Sequence, residues 1–291
     1  MTVATDSTDP TPTEAIAAID LDAYLARIGV AVDRQRAPDL SSLAEIVGRH
    51  AATIAFENVD QFCGVPCPLS PAALEAKLVH AGRGGWCFEQ NLLLMNALRQ
   101  VGYQVTGLAA RVTWMRASDL PTPARTHMLL RVDLPEGPHV VDVGFGGLTV
   151  TGPVALDPRT VQATPHEPVR IVELDSGYEL EVLVRGHWTP LYRFTLDEQA
   201  LADYELASWY LATHPDSRFV QNLMAARPDE GRRYSLQNTT LTTHPLDGGP
   251  PARRELDDVA ELLDVLGDTF LVDVASTPEV VAGLDRLFGR R

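Results

Sequence analysis

Hydrophobic positions recur at helical spacing along the first third of the chain. The predicted helices cover residues 21–28, 43–54, 72–80 and 87–101. Ser70-Pro71 is a typical helix start, and Gly29 and Gly102 are typical helix ends. The first nineteen residues are rich in Thr, Pro, Asp and Ala and show no apolar period, so they predict a flexible tail. Residues 1–104 are therefore predicted to form a helical bundle preceded by this tail.

Beyond residue 104 the pattern changes from a helical period to alternation. The predicted strands cover residues 105–114, 127–134, 139–145, 169–174, 178–184 and 188–196. Successive strands separated by Gly, Pro and Asp turns are typical of an antiparallel barrel or sandwich. Asp197 is predicted to cap a helix that runs through Tyr210, and the His-Pro-Asp-Ser segment at 214–217 ends it. This region, 105–212, is predicted to be a second domain.

The last part of the chain mixes the two periods. A strand is predicted over residues 234–243, a helix over 257–266 and a last helix after Thr277-Pro278. Residues 213–291 are therefore predicted to be a mixed α/β unit. Taken with the helical first region and the strands that follow it, the pattern places the chain in the α+β class.

Composition and charge narrow the class of protein. The chain has 291 residues, of which 45% are hydrophobic, which is sufficient for a large core. Its 24 basic and 39 acidic residues give a net charge of −15, which argues against non-specific binding of nucleic acid or anionic membranes. No secretory or membrane-spanning apolar run is present, and three cysteines fit a reducing compartment, so a cytoplasmic protein is expected.

Cys87 is the first candidate for chemistry. It follows Gly84, Gly85 and Trp86 and opens a helical pattern, and two glycines allow a sharp backbone turn there. Unpaired N–H groups and the positive end of the helix dipole favour a thiolate at this position. The alternative is a buried cysteine that acts as a small hydrophobic residue. A base and an orienting carboxylate elsewhere in the chain would favour the nucleophile.

Both groups occur on one predicted hairpin. His127 begins a strand, residues 135–138 form a turn, and Asp142 lies near the end of the returning strand. Antiparallel neighbours bring the two side chains together. A thiol nucleophile needs a base, and the base needs a carboxylate that holds its tautomer and stabilises its cation. Cys87, His127 and Asp142 are therefore the predicted catalytic residues.

Five motifs resemble those of the arylamine N-acetyltransferase family, in the family's order. They are Arg-Gly-Gly-Trp-Cys-Phe-Glu-Gln-Asn at 83–91, Thr-His at 126–127, Asp-Val-Gly-Phe-Gly at 142–146, Ala-Phe-Glu-Asn at 55–58 and Ser-Arg-Phe-Val at 217–220. The resemblance extends from about Leu21 to the C-terminus. Ala55 and Trp86 depart from the family, whose members often have Pro and Tyr at these positions, and both changes are expected to reshape the pocket only.

The resemblance implies a fold, an activity and a set of binding residues. It implies a helical bundle, a central antiparallel β-barrel and an α/β lid, with a cysteine-protease-like active site in the cleft between them. Acetyl-coenzyme A would be the co-substrate, with no permanently bound cofactor and no metal, and a small aromatic amine or hydrazine would be the acceptor. The residues that match binding positions are Phe56, Val112, Thr126, Phe145, Gly146 and Phe219. The oligomeric state, monomer or homodimer, stays open.

Three other functions are considered. Cysteine proteases and transglutaminases share the thiol, imidazole and carboxylate, but no peptide groove is evident. Amide synthases that release a polyketide chain on an aromatic amine share the motifs and differ in acyl donor and pocket size. A non-enzymatic binding module is the third possibility, and it leaves a complete triad without a role.

Four further groups of residues can be interpreted as structural or as functional. Gly144, Gly146 and Gly147 could present N–H groups to a pyrophosphate or simply form a barrel turn. Cys63 and Cys67 lack further zinc ligands and are predicted to be loop thiols. Arg83 and Glu57 either pair to support the cysteine turn or are solvated. The histidines predicted to be structural or on the surface are His50, His80, His166, His187 and His214.

Overall fold

A computed structural model describes residues 18–33, 36–117 and 119–289. The predicted flexible tail lies outside the described residues as far as residue 17. The helices are α1 (Leu21–Arg27), α2 (Leu40–Thr53), α3 (Val59–Cys63), α4 (Pro71–Leu74), α5 (Cys87–Val101), α6 (Leu201–Thr213), α7 (Arg218–Gln221), α8 (Val259–Asp268) and α9 (Pro278–Phe288). A π-helical turn, Glu75–His80, continues α4 directly.

The described strands form two antiparallel sheets. The strands are β1 (Phe56–Glu57), β2 (Gln104–Val112), β3 (His127–Leu134), β4 (Gly137–Val141), β5 (Val154–Ala155), β6 (Val161–Gln162), β7 (Val169–Leu174), β8 (Gly177–Val184), β9 (His187–Phe194), β10 (Met224–Asp229), β11 (Arg232–Gln237), β12 (Thr240–Pro245) and β13 (Ala252–Glu255). The larger sheet has the order β5-β4-β3-β2-β9-β8-β7-β6, and the smaller one has the order β1-β10-β11-β12-β13.

The N-terminal helices begin where side chains satisfy their first N–H groups. Asp20 accepts from Ala23 N at 2.9 Å, and Asp39 accepts from Ser42 N at 2.8 Å. The second helix thus begins at Leu40, earlier than the predicted start after Ser41-Ser42. Its buried face, which includes Leu43, packs into a core shared with α5 and the first barrel strands.

The larger sheet is a nearly closed antiparallel barrel. Its interior holds alternating side chains such as Leu108, Leu129, Ile171 and Leu191, all fully buried. Six of its strands were expected from alternation, whereas the two-residue strands β5 and β6 were not, because two residues carry no period. The predicted strand over 139–145 is too long, since β4 ends at Val141. The α+β class with an antiparallel barrel is confirmed.

Two predictions for the chain beyond the barrel strands are wrong. The single strand predicted over 234–243 is a hairpin, β11 and β12, whose turn places Asn238 at φ 54°. Asp197 does not cap the following helix: α6 begins at Leu201, and Asp203 accepts from the N–H of Ala200 at 3.1 Å. The outer strand β1 comes from the N-terminal region and pairs with β10, with Phe56 opposite Ala226.

Helices α8 and α9 pack against one face of the smaller sheet and form a separate core with it. Leu262, Leu266 and Leu284 contribute to this core. The division into residues 1–104, 105–212 and 213–291 stays a prediction. Within the described residues, no helix combines the length and the apolar character that a membrane span requires.

Candidate active site

Cys87 is the first residue of α5 and lies where three backbone segments approach closely. A β-carbon at Gly84 would collide with the carbonyl oxygen of Ala55, and one at Gly144 would lie 2.5 Å from the Cα of Cys87. Neither Gly84 nor Gly85 has a left-handed φ. The glycines of the motif are therefore required for close approach, not for the sharp turn that the sequence suggested.

Gln90 holds the cysteine turn from within the same helix. Its Nε2 donates to the carbonyl oxygens of Ile54, Ala55 and Gly85 at 3.0, 2.8 and 3.1 Å. Its Oε1 lies 2.6 Å from Nε2 of His50. A buried amide with every polar atom satisfied fixes its neighbours. The backbone that leads into Cys87 is thereby tied to the end of α2.

A buried cluster of charges lies beneath the turn. Arg83 Nη2 is 2.7 Å from Glu57 Oε1 and 2.9 Å from Asp60 Oδ1. Lys77 Nζ is 2.7 Å from both Asp60 Oδ2 and Glu89 Oε1. Glu89 also accepts from the N–H of Trp86, the residue before the helix, at 3.2 Å. Of the two alternatives for Arg83 and Glu57, the structure shows the ion pair, within a larger ion cluster.

The predicted hairpin brings His127 and Asp142 together. Strands β3 and β4 pair with Leu130 opposite Val141, so that His127 and Asp142 are diagonal neighbours on one face. His127 Nε2 lies 2.6 Å from Asp142 Oδ2, and both side chains are buried. Since this nitrogen faces the carboxylate, Nδ1 is the one available to the thiol of Cys87. The Cys87 thiol lies near enough to His127 to act on the pKa of the imidazole, and its Sγ donates to the carbonyl oxygen of Thr126 at 3.9 Å.

Asn91 connects the helix to both ends of this hairpin. It lies one turn after Cys87, and its Nδ2 donates to Asp142 Oδ1 at 3.0 Å and to Met128 O at 2.8 Å. Its Oδ1 accepts from Val143 N at 3.2 Å. Sequence reasoning included Asn91 in a motif without giving it a role. The spacing of four residues from Cys87, on one helix face, was the available signal.

Electrostatics at the pair favour the charged forms. Burial by itself would lower the pKa of His127, but the charge and hydrogen bond of Asp142, with a contribution from Cys87, raise it to about 10. Burial would raise the pKa of Asp142, but His127, Asn91 and the N–H of Gly144 hold it below its usual range. The imidazole is therefore a cation at neutral pH.

Aromatic rings enclose the imidazole. The ring centroids of His127 and Phe145 are 5.4 Å apart in an edge contact, and those of His127 and Tyr192 are 5.0 Å apart. Burial, with the nearby Asp142 carboxylate, raises the pKa of Tyr192 well above its usual range, so this side chain stays a neutral phenol. Sequence reasoning missed Tyr192, because it lies on β9, fifty residues beyond the hairpin.

A cavity of about 740 Å³ opens beside Cys87 and His127. The six residues predicted to bind substrate, which are Phe56, Val112, Thr126, Phe145, Gly146 and Phe219, all line it. Phe219 lies 6.4 Å from Phe56 and 5.4 Å from Trp86 between ring centroids, so a cluster of rings faces the thiol. The volume lies within the range of small-molecule sites. The cavity can therefore hold a flat apolar ligand next to a nucleophile.

The glycine loop after Asp142 has most of its donors occupied. Gly144 N donates to Asp142 Oδ1 at 2.9 Å, and Gly146 N donates to Thr149 Oγ1 at 2.8 Å. These two N–H groups serve the fold, so the idea that they hold a pyrophosphate is wrong for them. Gly146 has φ 96°, and a Cβ atom added to it would lie 3.5 Å from the Phe56 ring. It shapes the cavity wall instead.

Two of the remaining histidines form hydrogen bonds within the fold. His50 is buried between Tyr24 Oη, at 2.8 Å, and Gln90, and burial lowers its pKa to about 4. His166 lines the cavity, but its ring nitrogens contact Thr151 Oγ1 and Asp229 O, each at 3.1 Å. The described part of the chain holds no group of three or more His, Cys, Asp or Glu side chains that could bind a metal.

Comparison with known proteins agrees with the geometry of the site. A family model described as N-acetyltransferase matches residues 39–280. The arylamine N-acetyltransferase of Mycolicibacterium smegmatis is 43% identical over 260 residues, which are 88% of this chain and 93% of that protein. The Escherichia coli arylamine N-acetyltransferase is 37% identical over 252 residues, which are 86% of this chain and 88% of that protein.

A solved structure of similar shape contains a ligand. The Mycobacterium marinum arylamine N-acetyltransferase in complex with CoA superposes with a TM-score of 0.87 at 40% identity, covering 92% of this chain and 99% of that one. Similarity therefore extends over the bundle, the barrel and the smaller sheet.

Proposed function

The chain belongs to the arylamine N-acetyltransferase family, and we propose that it transfers acetyl groups from acetyl-coenzyme A to small aromatic amines and hydrazines through an acetyl thioester on Cys87. The observation that carries the proposal is the pairing of His127 with Asp142 at 2.6 Å, with Cys87 and His127 side by side in the wall of one aromatic cavity. A thiol paired with a charged imidazole is a ready nucleophile.

The first step acylates the enzyme. His127 takes the proton of Cys87, and the thiolate attacks the carbonyl carbon of the acetyl thioester to form a tetrahedral intermediate. Backbone N–H groups in the first turn of α5 stabilise its oxyanion. The carbon–sulfur bond to coenzyme A then breaks, and coenzyme A leaves as a thiol with the proton from the imidazolium. Cys87 keeps the acetyl group, and His127 becomes neutral.

The second step transfers the acetyl group to the acceptor. The amine nitrogen attacks the acetyl carbon of the thioester while His127 takes its proton as a general base. Asp142 holds the ring and stabilises the imidazolium that forms. The carbon–sulfur bond to Cys87 breaks, which releases the amide and restores the thiolate and imidazolium pair. Atoms and charge balance over the two steps without any further reactant.

The cavity favours aromatic acceptors. An alkylamine is mostly a cation at neutral pH, so its lone pair is occupied and entering a wall of Phe56, Phe145 and Phe219 would cost desolvation. An arylamine or arylhydrazine is neutral, stacks on these rings and presents a free lone pair. We expect kcat/KM to be at least about a hundredfold higher for arylamines than for alkylamines of matched size at pH 7.

Intact-mass measurement after mixing with acetyl-coenzyme A, and no acceptor, tests the mechanism. We expect one added acetyl group on the wild-type chain and none on Cys87→Ala. Adding an arylamine should then remove the label. An unlabelled wild-type chain, or turnover by Cys87→Ala, would rule out the covalent step. Transfer only to a bulky polyketide amine would favour the amide synthase alternative.

A further inference from the structure

Three buried polar side chains form a continuous hydrogen-bonded series from α1 to the helix of the nucleophile. Tyr24 lies on α1, His50 near the end of α2 and Gln90 in the first turn of α5, and all three are fully buried. Tyr24 Oη lies 2.8 Å from His50 Nδ1, and His50 Nε2 lies 2.6 Å from Gln90 Oε1. None of these three residues lines the cavity. They can therefore act on the reaction only through the backbone that carries Cys87.

The orientation of the Gln90 amide is fixed by its surroundings. Its nitrogen faces the carbonyl oxygens of Ile54, Ala55 and Gly85, which can only accept hydrogen bonds. The amide oxygen must then face His50. Since this oxygen also only accepts, the donor between the two side chains is the Nε2–H of His50. The whole series depends on a proton at that nitrogen.

The tautomer of His50 follows from the same argument. Burial lowers the pKa of His50 to about 4, so the ring is neutral at pH 7 and carries a single N–H. Because this N–H is donated to Gln90, Nδ1 has a lone pair and accepts from the hydroxyl of Tyr24. Burial holds the pKa of Tyr24 well above its usual range, so the hydroxyl keeps its proton. Every donor in the series therefore points towards the cysteine turn.

The far end of the series holds the peptide that precedes the nucleophile. Gly85 O accepts from Gln90 Nε2 at 3.1 Å. On the other side of the same peptide, Trp86 N donates to Glu89 Oε2 at 3.2 Å. Cys87 is the next residue, so this peptide sets the direction in which its side chain leaves the backbone. A displacement of about 1 Å at a reacting atom can cost about a hundredfold in rate.

We propose that His50 is a positioning residue for Cys87: its Nε2–H fixes the amide of Gln90, and that amide fixes the turn from which the thiol projects. The assignment rests on the proposed use of Cys87 as the nucleophile. Without the donor, Gln90 Oε1 would be buried with no partner, and that cost favours rotation of the amide. Rotation would release the three carbonyls together. Cys87 would then meet His127 in the reactive geometry for only part of the time.

Two substitutions at His50 separate the donor from the ring. Nε2 of a glutamine is as many bonds from the backbone as Nε2 of a histidine, whereas the amide of an asparagine reaches only the position of Nδ1. His50→Gln therefore keeps the donor to Gln90, and His50→Asn loses it. We expect the single-turnover acylation rate at saturating acetyl-coenzyme A to stay within about threefold of wild type in His50→Gln and to fall at least about tenfold in His50→Asn. Equal rates in the two variants would overturn the proposal, since both lack the ring.

The concentration of acetyl-coenzyme A that gives half of the maximal acylation rate is a second readout. Because His50 does not line the cavity, this concentration should stay within about twofold of the wild-type value in His50→Asn while the maximal rate falls. An increased concentration with an unchanged maximal rate would mean that the substitution acts on donor binding. That result would overturn the positioning role.

Tyr103→Phe is the matched control for a lost hydrogen bond in the same core. Tyr103 Oη donates to Asp39 O at 2.8 Å, and the ring is buried in the core that also holds Tyr24. This variant should lower the urea midpoint of unfolding and leave the acylation rate unaltered. If its acylation rate fell as far as that of His50→Asn, the effect would be a general loosening of the core, and the proposal would be wrong.

His50→Leu/Gln90→Met keeps the proposal testable if His50→Asn does not fold. It replaces both partners by apolar side chains of similar size, so neither is left unpaired by loss of the other. We expect this variant to fold and to acylate at least about tenfold more slowly than the wild type. An unchanged rate would overturn the proposal.

Alkylation of Cys87 by iodoacetamide decides on His50 without any acyl donor. At pH 7 we expect the rate in His50→Asn to be at least about tenfold lower than in His50→Gln, because a displaced thiol loses His127 as its proton acceptor. Equal alkylation rates would contradict the positioning role. A wild-type chain that acetyl-coenzyme A did not label would refute the proposed function, while the alkylation rates would still decide on His50.

Discussion

Three thiols lie in three different environments. Burial raises the pKa of Cys63 to about 11, and burial with the nearby charge of Glu89 raises the pKa of Cys67. Cys87 instead begins a helix and lies beside His127 in the cavity wall. At pH 7 a thiol with a pKa of about 11, like that of Cys63, reacts slowly because only about one part in ten thousand of it is thiolate.

We therefore expect iodoacetamide at pH 7 to modify Cys87 at least about a hundredfold faster than Cys63 or Cys67. Peptide mapping after a short reaction measures the three rates in one sample. His127→Gln should remove most of the advantage of Cys87. Equal labelling of all three residues would contradict a thiolate and imidazolium pair.

Asp142→Asn tests the third member of the site. An amide in place of the carboxylate favours the wrong imidazole tautomer and removes the charge that stabilises the His127 cation. We expect the single-turnover rate of acylation to fall at least about a thousandfold. Glu136→Gln, an exposed change in the same hairpin turn, should leave the rate unaltered. A loss of only a few-fold in Asp142→Asn would make Asp142 a structural residue.

Among single residues, the sequence predicted those whose positions depend on neighbours close in the chain. His127 and Asp142 could be placed together because one short hairpin joins them, and Cys87 could be placed at a helix start because glycine precedes a helical period. Tyr192 was missed because it reaches the site from β9, a strand distant in sequence from the hairpin. The role of the Gly144 N–H was misjudged because Asp142 was assigned to His127 alone. The structure shows that its other carboxylate oxygen accepts from Gly144.

The ion cluster beneath the cysteine turn acts at the scale of elements, since it joins β1, α3, the π-helical turn and α5. Arg83→Met would leave the buried carboxylates of Glu57 and Asp60 with less compensation. We expect a loss of about 3–5 kcal/mol in the free energy of unfolding. Urea denaturation followed by circular dichroism measures the loss.

A surface pair provides the control for Arg83→Met. Arg131 and Asp133 form a partly exposed ion pair at 2.7 Å on β3. Removing its charge in Arg131→Met should change the free energy of unfolding by less than about 1 kcal/mol. Equal losses in the two variants would show that the buried cluster contributes no more than a surface pair.

Element boundaries were predicted where a period is long and missed where it is short. The long helix α5 and the barrel strands β2, β3, β7, β8 and β9 follow clear periods. Strand β1 has two residues and gains its structure from pairing with β10 and from a bridge to Gly85, both distant in sequence, so no local signal could predict it. The β11–β12 turn was missed because Asn238-Thr239 interrupts an apolar alternation that otherwise reads as continuous.

The pair of His127 and Asp142 also sets a pH dependence for the whole molecule. The pKa of His127 is raised from 6.5 to about 10, so its contribution to stability is full below pH 6.5 and is lost as pH rises through about 10. The pKa of Asp142 is lowered, so its contribution is present above pH 3.8 and is lost as pH falls through its folded value. Both contributions are complete between about pH 4 and 6.5.

We therefore expect the wild-type chain to exceed Asp142→Asn in free energy of unfolding by the most near pH 5 to 6, with the difference shrinking towards pH 10 and below pH 3.5. Urea denaturation at each pH measures the two chains in parallel. A difference that stayed constant from pH 5 to 10 would contradict a charged His127 in the folded state.

The pairing of β1 with β10 has a consequence for synthesis. Phe56 and Glu57 complete a sheet whose other strands begin at Met224, so this pairing spans more than half of the chain and closes late in folding. During translation the thiol, the imidazole and the carboxylate all leave the ribosome before their outer wall exists. A nascent chain that stops before Met224 would carry Cys87 without the strand that pairs with β1 and fixes the neighbouring Phe56.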